Sequence, residues 1–503
     1  MERTRQLELA TSIAIAAALA ALVAMSFWTR WAILTESPFP VGIDGYFYPI
    51  QLRSLLAHGS LAYPASPLGF WLMAPLAAIT DPITGAKLGA ALFGALIALP
   101  AYGVGARLGK SRGAGLIAAA LATTSAGSAF LTIEFVKNGI GLTVGLTALW
   151  LVLRALERRT RLRTGIALAS VIAAFLTHKM AAGLIVLIAI PAAVAEATSI
   201  GELRGRRLLY LIAALIGGVM IAVILGLEFP ERFMSPEDLS LVRALWSEPH
   251  WELPALATPN AVLPMGHEAL IGAALAVLAA ISLVRSPRTQ TPGERVASWV
   301  IVALALLIAV PWLAVANPQG LGFRIRIVAF LPMALGAAIL AREVVRVPRP
   351  PWQRDVGLAI LALVIAVAMP RDRTQGQILA HPAMVAAVEG LAGRIPDGGI
   401  AIVPERHIAF MVTWYTGVPN RQRPEGVPRD QRWRVMPLAF IGAGSPLDEA
   451  LMAARRQPGL IPPIGTHPRH PNGLVLVAEP TWDWLLAQLP PADHAHFARW
   501  PTI

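Results

Sequence analysis

The chain contains no cysteine in 503 residues, so disulfides, thiolate nucleophiles and thiolate metal ligands are excluded, while the compartment is left undetermined. It is also poor in charge, with 14% charged residues against 56% hydrophobic ones and a mean hydropathy of +0.60. That balance is too apolar for a soluble protein, and the apolar runs are long enough to cross a hydrocarbon core of about 30 Å. Lysine is scarce: 4 residues against 38 arginines, a usage that together with abundant alanine and glycine points to a GC-rich bacterial genome. A convincing glycine-rich phosphate loop is missing as well, and the tail 371–503 shows no repeat or low-complexity segment. What remains is a multi-pass membrane protein.

Apolar runs bounded by charges or by Pro and Gly predict eleven spans, near 8–28, 87–106, 113–132, 139–155, 163–178, 180–196, 208–227, 264–284, 296–316, 325–341 and 355–370. The run Pro67–Thr80, "PLGFWLMAPLAAIT", is too short to cross and reads as interfacial or re-entrant. Lys and Arg accumulate in cytoplasmic loops. With the N-terminus inside, alternate segments such as "RLGKSRG", "RALERRTRLR" and "REVVRVPRPPWQR" hold 20 basic residues, against 9 in the outer segments before the tail. The asymmetry supports both the count and the orientation, and it makes the formal charge of +12 a topology signal, with no nucleic-acid partner implied. The basic, alanine-rich first 28 residues resemble a signal peptide, but ten further spans favour a retained anchor. The expected setting is a bacterial inner membrane, with the N-terminus cytoplasmic and membrane lipids as partners.

Residues 1–370 therefore read as a polytopic all-α membrane domain, with a first outer loop at 29–86 and another at 228–263. Residues 371–503 change character: "GGIAIVP" and "NGLVLVAEP" are strand-like, and "HPAMVAAVEGLAGR" and "PLDEALMAARR" are helix-like. This alternation predicts a small α/β domain on the outer side, joined by the short linker "RDRTQGQ".

Charges at the edge of a membrane are costly, so those outside the cytoplasmic loops need a reason. Asp44 stands alone in "FPVGIDGYFYP", between Gly42 and Gly45 and beside Tyr46, Phe47 and Tyr48. The residues after it predict a helix lying on the membrane surface, with Tyr46, Phe47, Ile50, Leu52, Leu55 and Leu56 on its apolar side. Other outer turns supply Glu134 and Lys137, then His178 and Lys179, then Arg324 and Arg326. Each has an ordinary alternative: Asp44 as a helix cap, Glu134 and Lys137 as an i,i+3 pair, the arginines as headgroup anchors. In a strict helix Arg324 and Arg326 point about 200° apart, which leaves one of them to serve a site.

The order of elements in "IDGYFYPIQLRSLLAHGSLAYPASPLGFW" resembles the first outer loop of the GT-C membrane glycosyltransferases, which use polyprenyl-phosphate sugars and include the dolichyl-phosphate-mannose mannosyltransferases and aminoarabinose transferases. "GARLGKSRGAGLIAAALATTSAGS" and "ALASVIAAFLTHKMAAGLIVL" are similar to later helix pairs of that class, the second around a T-H/K-x-x-A break. The resemblance covers roughly residues 10–340. It implies a GT-C-like fold and places at Asp44 the base or acceptor-orienting carboxylate, with Glu134 matching a second outer acid. The sequence departs from the class in lacking W-W-D-x-G, which argues against an asparagine-modifying enzyme. The stretch "FPVGIDGYFYP" has one acid and no D-E or D-D pair, so no cofactor is assigned and a divalent metal is not supported.

The implied reaction is transfer of a sugar from a polyprenyl-phosphate lipid to a glycan, lipid or protein acceptor. It needs a base, for which Asp44 is chosen, and fixed cations for the departing phosphate, for which Lys137, His178, Lys179, Arg324 and Arg326 are the candidates. Tyr46, Tyr48 and Tyr63 would wall the cavity, and Trp414 and Tyr415 of the tail would meet the acceptor, unless the helix carrying them is simply a core helix. A lipid transporter or flippase is an alternative, although no inverted repeat is visible. A structural assembly protein acting through its outer domain is another.

Overall fold

The computed structural model describes residues 2–199, 220, 224, 227–228, 263–285, 290–310, 313, 321–348, 350–368, 380–438, 441, 444–466 and 473–491. The chain divides into two compact units. One draws on Met1–Thr35, Tyr63–Ile79 and Lys87–Thr374; the other on Glu36–Ala62, Thr80–Ala86 and Gln375–Ile503.

The helical elements before residue 370 are α1 (Glu2–Thr35), α2 (Phe47–His58), α3 (Leu68–Ile79), α4 (Pro82–Gly109), α5 (Arg112–Thr124), α6 (Ala126–Ile133), α7 (Val136–Glu157), α8 (Arg161–Thr177), α9 (Lys179–Ser199), α10 (Leu263–Arg285), α11 (Pro292–Ala309), α12 (Leu321–Val344) and α13 (Pro351–Ala368). Among the described residues seven helices are long and apolar enough to cross a membrane, or eight if the bent pair α5–α6 is one span. That is fewer than the eleven expected from sequence. Of the other three, α8 has only 17 residues, α13 begins with Gln353, Arg354 and Asp355 and so has a shorter apolar stretch, and 208–227 falls largely outside the described residues.

The centre of the membrane unit is α5, whose small side chains, "RGAGLIAAALATT", let neighbours approach from every side, so Gly113 through Thr123 are all buried. The run 113–132, expected as one span, breaks instead. Ser125 is extended and its side chain accepts the N–H of Ser128, which starts α6 at 48° to α5. The expected break at "THK" is present: His178 is extended between α8 and α9. Charged residues at the basic-loop ends are tied down, with Glu294 at 3.0 Å from Arg107 and 2.5 Å from Lys110, and Asp355 accepting from the Ser111 hydroxyl at 2.5 Å.

In the second unit the tail supplies α14 (Pro382–Glu389), β1 (Ile400–Ile402), α15 (Arg406–Thr416), β2 (Asn420–Arg421), β3 (Arg432–Pro437), α16 (Pro446–Ala454), β4 (Ile464–Thr466), β5 (Leu474–Ala478) and α17 (Glu479–Gln488). The strand order is β2-β1-β3-β5-β4, with β1 parallel to β2 and β3, and β5 antiparallel to β3 and β4. All five residues of β5 are buried, as the unbroken apolar run "LVLVA" requires of a strand covered on both faces. Met436, Leu447, Leu451, Val475, Val477, Trp482 and Leu485 form one apolar core there. Each of the four segments read from sequence as strand or helix in the tail contains an element of that kind.

Candidate functional site

In the membrane unit three elements bring the expected cations together. The first is the junction of α6 and α7. Glu134 closes α6, is buried, and donates its main-chain N–H to Phe130 O at 2.9 Å; Lys137 follows, half-buried in the first turn of α7. The second is the break at His178, whose Nδ1 accepts the N–H of Met180 at 3.1 Å and so caps α9. That bond commits Nδ1, which leaves Nε2 as the nitrogen for other contacts. The third is the start of α12, where the Arg324 guanidinium lies 6.0 Å from the centre of the Phe135 ring. Lys137, Lys179 and Arg324 all lie close enough to act electrostatically on His178.

The approach of α9 to α7 depends on a small-xxx-small spacing, Gly141 and Gly145. A Cβ at Gly141 would stand 2.6 Å from His178 Cβ, and one at Gly145 would stand 2.9 Å from Ala181 Cα. Phe130, Phe135 and Phe323 make edge and tilted contacts at 5.9 Å that join α6, α7 and α12 behind the cations. Arg326 is separate: it is 3% exposed and its Nη2 donates to Val310 O at 3.2 Å. The two arginines thus divide as the helical spacing implies, one to the cluster and one to a main-chain carbonyl. Tyr63, half-buried, belongs to this unit, just before α3.

In the second unit Asp44 sits in a tight turn made by its glycines. Gly42 has φ 86°, which favours glycine, and a Cβ at Gly45 would stand 2.8 Å from Val41 O. The N-cap of α2 is Tyr46, two residues beyond Asp44, so Asp44 is not at the N-cap position. Its Oδ1 lies 2.7 Å from Arg406 Nε, an ion pair by distance whose N–H is not aligned as a hydrogen bond. Tyr46 is buried and shares a 2.9 Å hydrogen bond with the Tyr415 hydroxyl. Burial first, and then that bond, push the Tyr46 hydroxyl well above the usual phenol range, so it stays protonated. Tyr48 is buried with its ring edge-on to Phe47 at 5.5 Å. Trp414 receives the Arg53 guanidinium 4.2 Å above its ring, and Arg53 Nη1 donates to Trp414 O at 3.1 Å. Trp414 and Tyr415 are therefore engaged by residues 46 and 53. Glu405 and His407 flank Arg406; burial raises the first carboxyl and lowers the second imidazole, which favours the neutral form of each.

Four residues that hold these sites together escaped sequence reasoning. Arg406 and Arg53 gave no signal, because their partners are remote in the chain. Arg30, a charge inside the first apolar run, did carry one. Its Nη1 donates to Thr123 O at 3.1 Å and its Nε to Thr132 Oγ1 at 3.0 Å, bridging the α5–α6 bend. Glu268, a lone acid opening a span, accepts the N–H groups of Ala126 and Gly127. Among the described residues no three His, Asp or Glu side chains group as a metal site.

The sequence profile of the dolichyl-phosphate-mannose-protein mannosyltransferases matches residues 64–226. No curated protein sequence matches the chain. Among solved structures, the oligosaccharyltransferase of Archaeoglobus fulgidus, in complex with Zn and sulfate, is similar at 14% identity and a TM-score of 0.53 over 79% of this chain. The chain spans 62% of that protein's length. ArnT from Cupriavidus metallidurans bound to undecaprenyl phosphate is similar at 14% identity and a TM-score of 0.50, over 91% of this chain and 97% of its own. These likenesses show the fold: the chain has the GT-C glycosyltransferase fold.

Proposed function

We propose that this protein is an integral membrane glycosyltransferase that moves a sugar from a polyprenyl-phosphate donor to an acceptor hydroxyl on the outer side of the membrane. The observation that carries the reading is that Lys137, Lys179 and Arg324 all act electrostatically on His178, at the close approach of Gly141 to His178 in a helical unit of this fold. Cations held near one another attract a phosphate, and a lipid phosphate supplies both the anion and an apolar tail suited to the helices. The same charges stabilise that phosphate as it departs. Binding of undecaprenyl phosphate by the similar ArnT supports this donor class.

Asp44 is the proposed base, removing the acceptor proton as the hydroxyl oxygen attacks the anomeric carbon and the bond from that carbon to the phosphate oxygen breaks. Glu134, buried beside the cations, is a second candidate acid in the site. Tyr46 and Tyr48 wall the turn that holds Asp44. The 20-to-9 distribution of basic residues supports a cytoplasmic N-terminus and an outer C-terminal domain. The test is turnover by the purified full chain in lipid nanodiscs, with undecaprenyl-phosphate-linked mannose, glucose and N-acetylglucosamine as probes and release of undecaprenyl phosphate as the readout. Turnover of at least one probe is expected. Turnover of nucleotide sugars alone would contradict the donor class.

A further inference from the structure

The contacts of the Asp44 turn are ordered in a way the proposed reaction does not require. Three residues of α15, Arg406, Phe410 and Trp414, recur every four positions and so share one helix face. In chain order they meet Asp44 (2.7 Å), Phe47 (ring centres 5.3 Å apart) and Arg53 (4.2 Å above the Trp ring). Tyr415, the next residue along, bonds Tyr46. The segment 44–53 is thereby held along its length by a single helix of the C-terminal sheet domain. The Arg406 guanidinium is itself steadied, lying 5.8 Å from the centre of the Phe410 ring.

We infer that Arg406 is the positioning residue of Asp44, and that α15 sets the geometry of the proposed base. This inference rests on the reading of Asp44 as base. Gly42 and Gly45 make the turn easy to form but also easy to deform, because glycine leaves the backbone free. Tyr46 and Phe47 fix the turn at its C-terminal side, and Arg406 acts on the carboxylate itself. Charge and distance orient Oδ1; the absence of an aligned hydrogen bond leaves the arginine acting mainly as a fixed cation. The C-terminal domain would therefore control the chemical step, in addition to any acceptor contact it makes.

The experiment is a double-mutant cycle, Asp44→Asn with Arg406→Gln, plus Arg406→Lys, using whichever undecaprenyl-phosphate sugar the parent turns over. Arg406 is partly exposed, so the Gln and Lys variants are expected to fold. Arg406→Gln should lower kcat on the order of 10- to 100-fold, since misplacing a reacting group by about 1 Å costs that much, with the donor KM within about twofold. Arg406→Lys should recover most of the loss. In the Asp44→Asn background the Gln change should cost less than about twofold, because the group it positions is gone. A slow Asp44→Asn variant alongside an Arg406→Gln variant with parental kcat overturns the positioning role, as does an equal loss in both backgrounds. A parental rate in Asp44→Asn would instead overturn the base assignment.

Discussion

Glu268→Ala should destabilise the membrane unit. Glu268 is 4% exposed, and its two oxygens accept the N–H groups of Ala126 at 2.5 Å and Gly127 at 3.1 Å, the first turn of α6. Alanine leaves two buried donors unmet at about 1–3 kcal/mol each, so the expected loss is about 4 kcal/mol. Glutamine keeps one acceptor oxygen but turns its NH2 toward the other N–H, so it leaves one donor unmet at about 2 kcal/mol and, like alanine, loses the charge at the helix N-terminus. At roughly 1–2 °C per kcal/mol for a unit of about 340 residues, the Ala variant should unfold about 2–4 °C below the Gln variant in nanodiscs. A functional consequence follows, because α6 carries Phe130 against Phe323 and ends at Glu134. Slippage of α6 disturbs the cation cluster, so undecaprenyl phosphate binding should weaken in the Ala variant and hold in the Gln variant. Equal unfolding temperatures for Ala and Gln would refute the capping account of the α5–α6 bend.

Arg324→Gln and Lys179→Gln should each weaken undecaprenyl phosphate binding about tenfold, the worth of one charge-assisted bond, whereas Arg326→Gln should leave it unchanged and lower stability; titration of the purified variants checks all three. In the C-terminal domain burial raises the Glu479 carboxyl but Arg434 and Arg432 pull it below the ordinary value, so Glu479 contributes stability that is present above about pH 4.5 and lost as the pH falls through its depressed folded value. Hydrogen exchange in residues 474–488 of the full chain should rise on acidification, and Glu479→Gln should cost about 3 kcal/mol at neutral pH and remove that acid dependence. Reporter fusions at residues 160 and 400 should report opposite sides of the membrane; a shared side would refute the topology.

Much of the fold was legible because membrane helices and buried strands announce themselves by unbroken apolar composition. The helix α7, the buried β5 and the break at His178 all lie where the sequence put them. What failed to show is what depends on cap chemistry or on partners remote in the chain. The run 113–132 is long enough to read as one span, and the Ser125 hydroxyl, Glu268 and Arg30 together hold it as two helices. Strands β2 and β4, of two and three residues, are too short to show a period of two. The candidate cations were visible as charges at apolar edges, and their role in a site is a proposal. Trp414 and Tyr415 read either as acceptor contacts or as part of a core helix, and their partners Arg53 and Tyr46 could not be inferred from "FMVTWYT" itself. Arg406 was passed over for the same reason.

The most direct test of the account is the turnover of a purified, well-folded Asp44→Asn variant with the undecaprenyl-phosphate sugar that the parent uses. Asparagine preserves the shape of the side chain and removes its capacity to take a proton, so the account predicts a loss on the order of 100-fold or more with undecaprenyl phosphate binding retained. A variant that transfers sugar at the parental rate would contradict it.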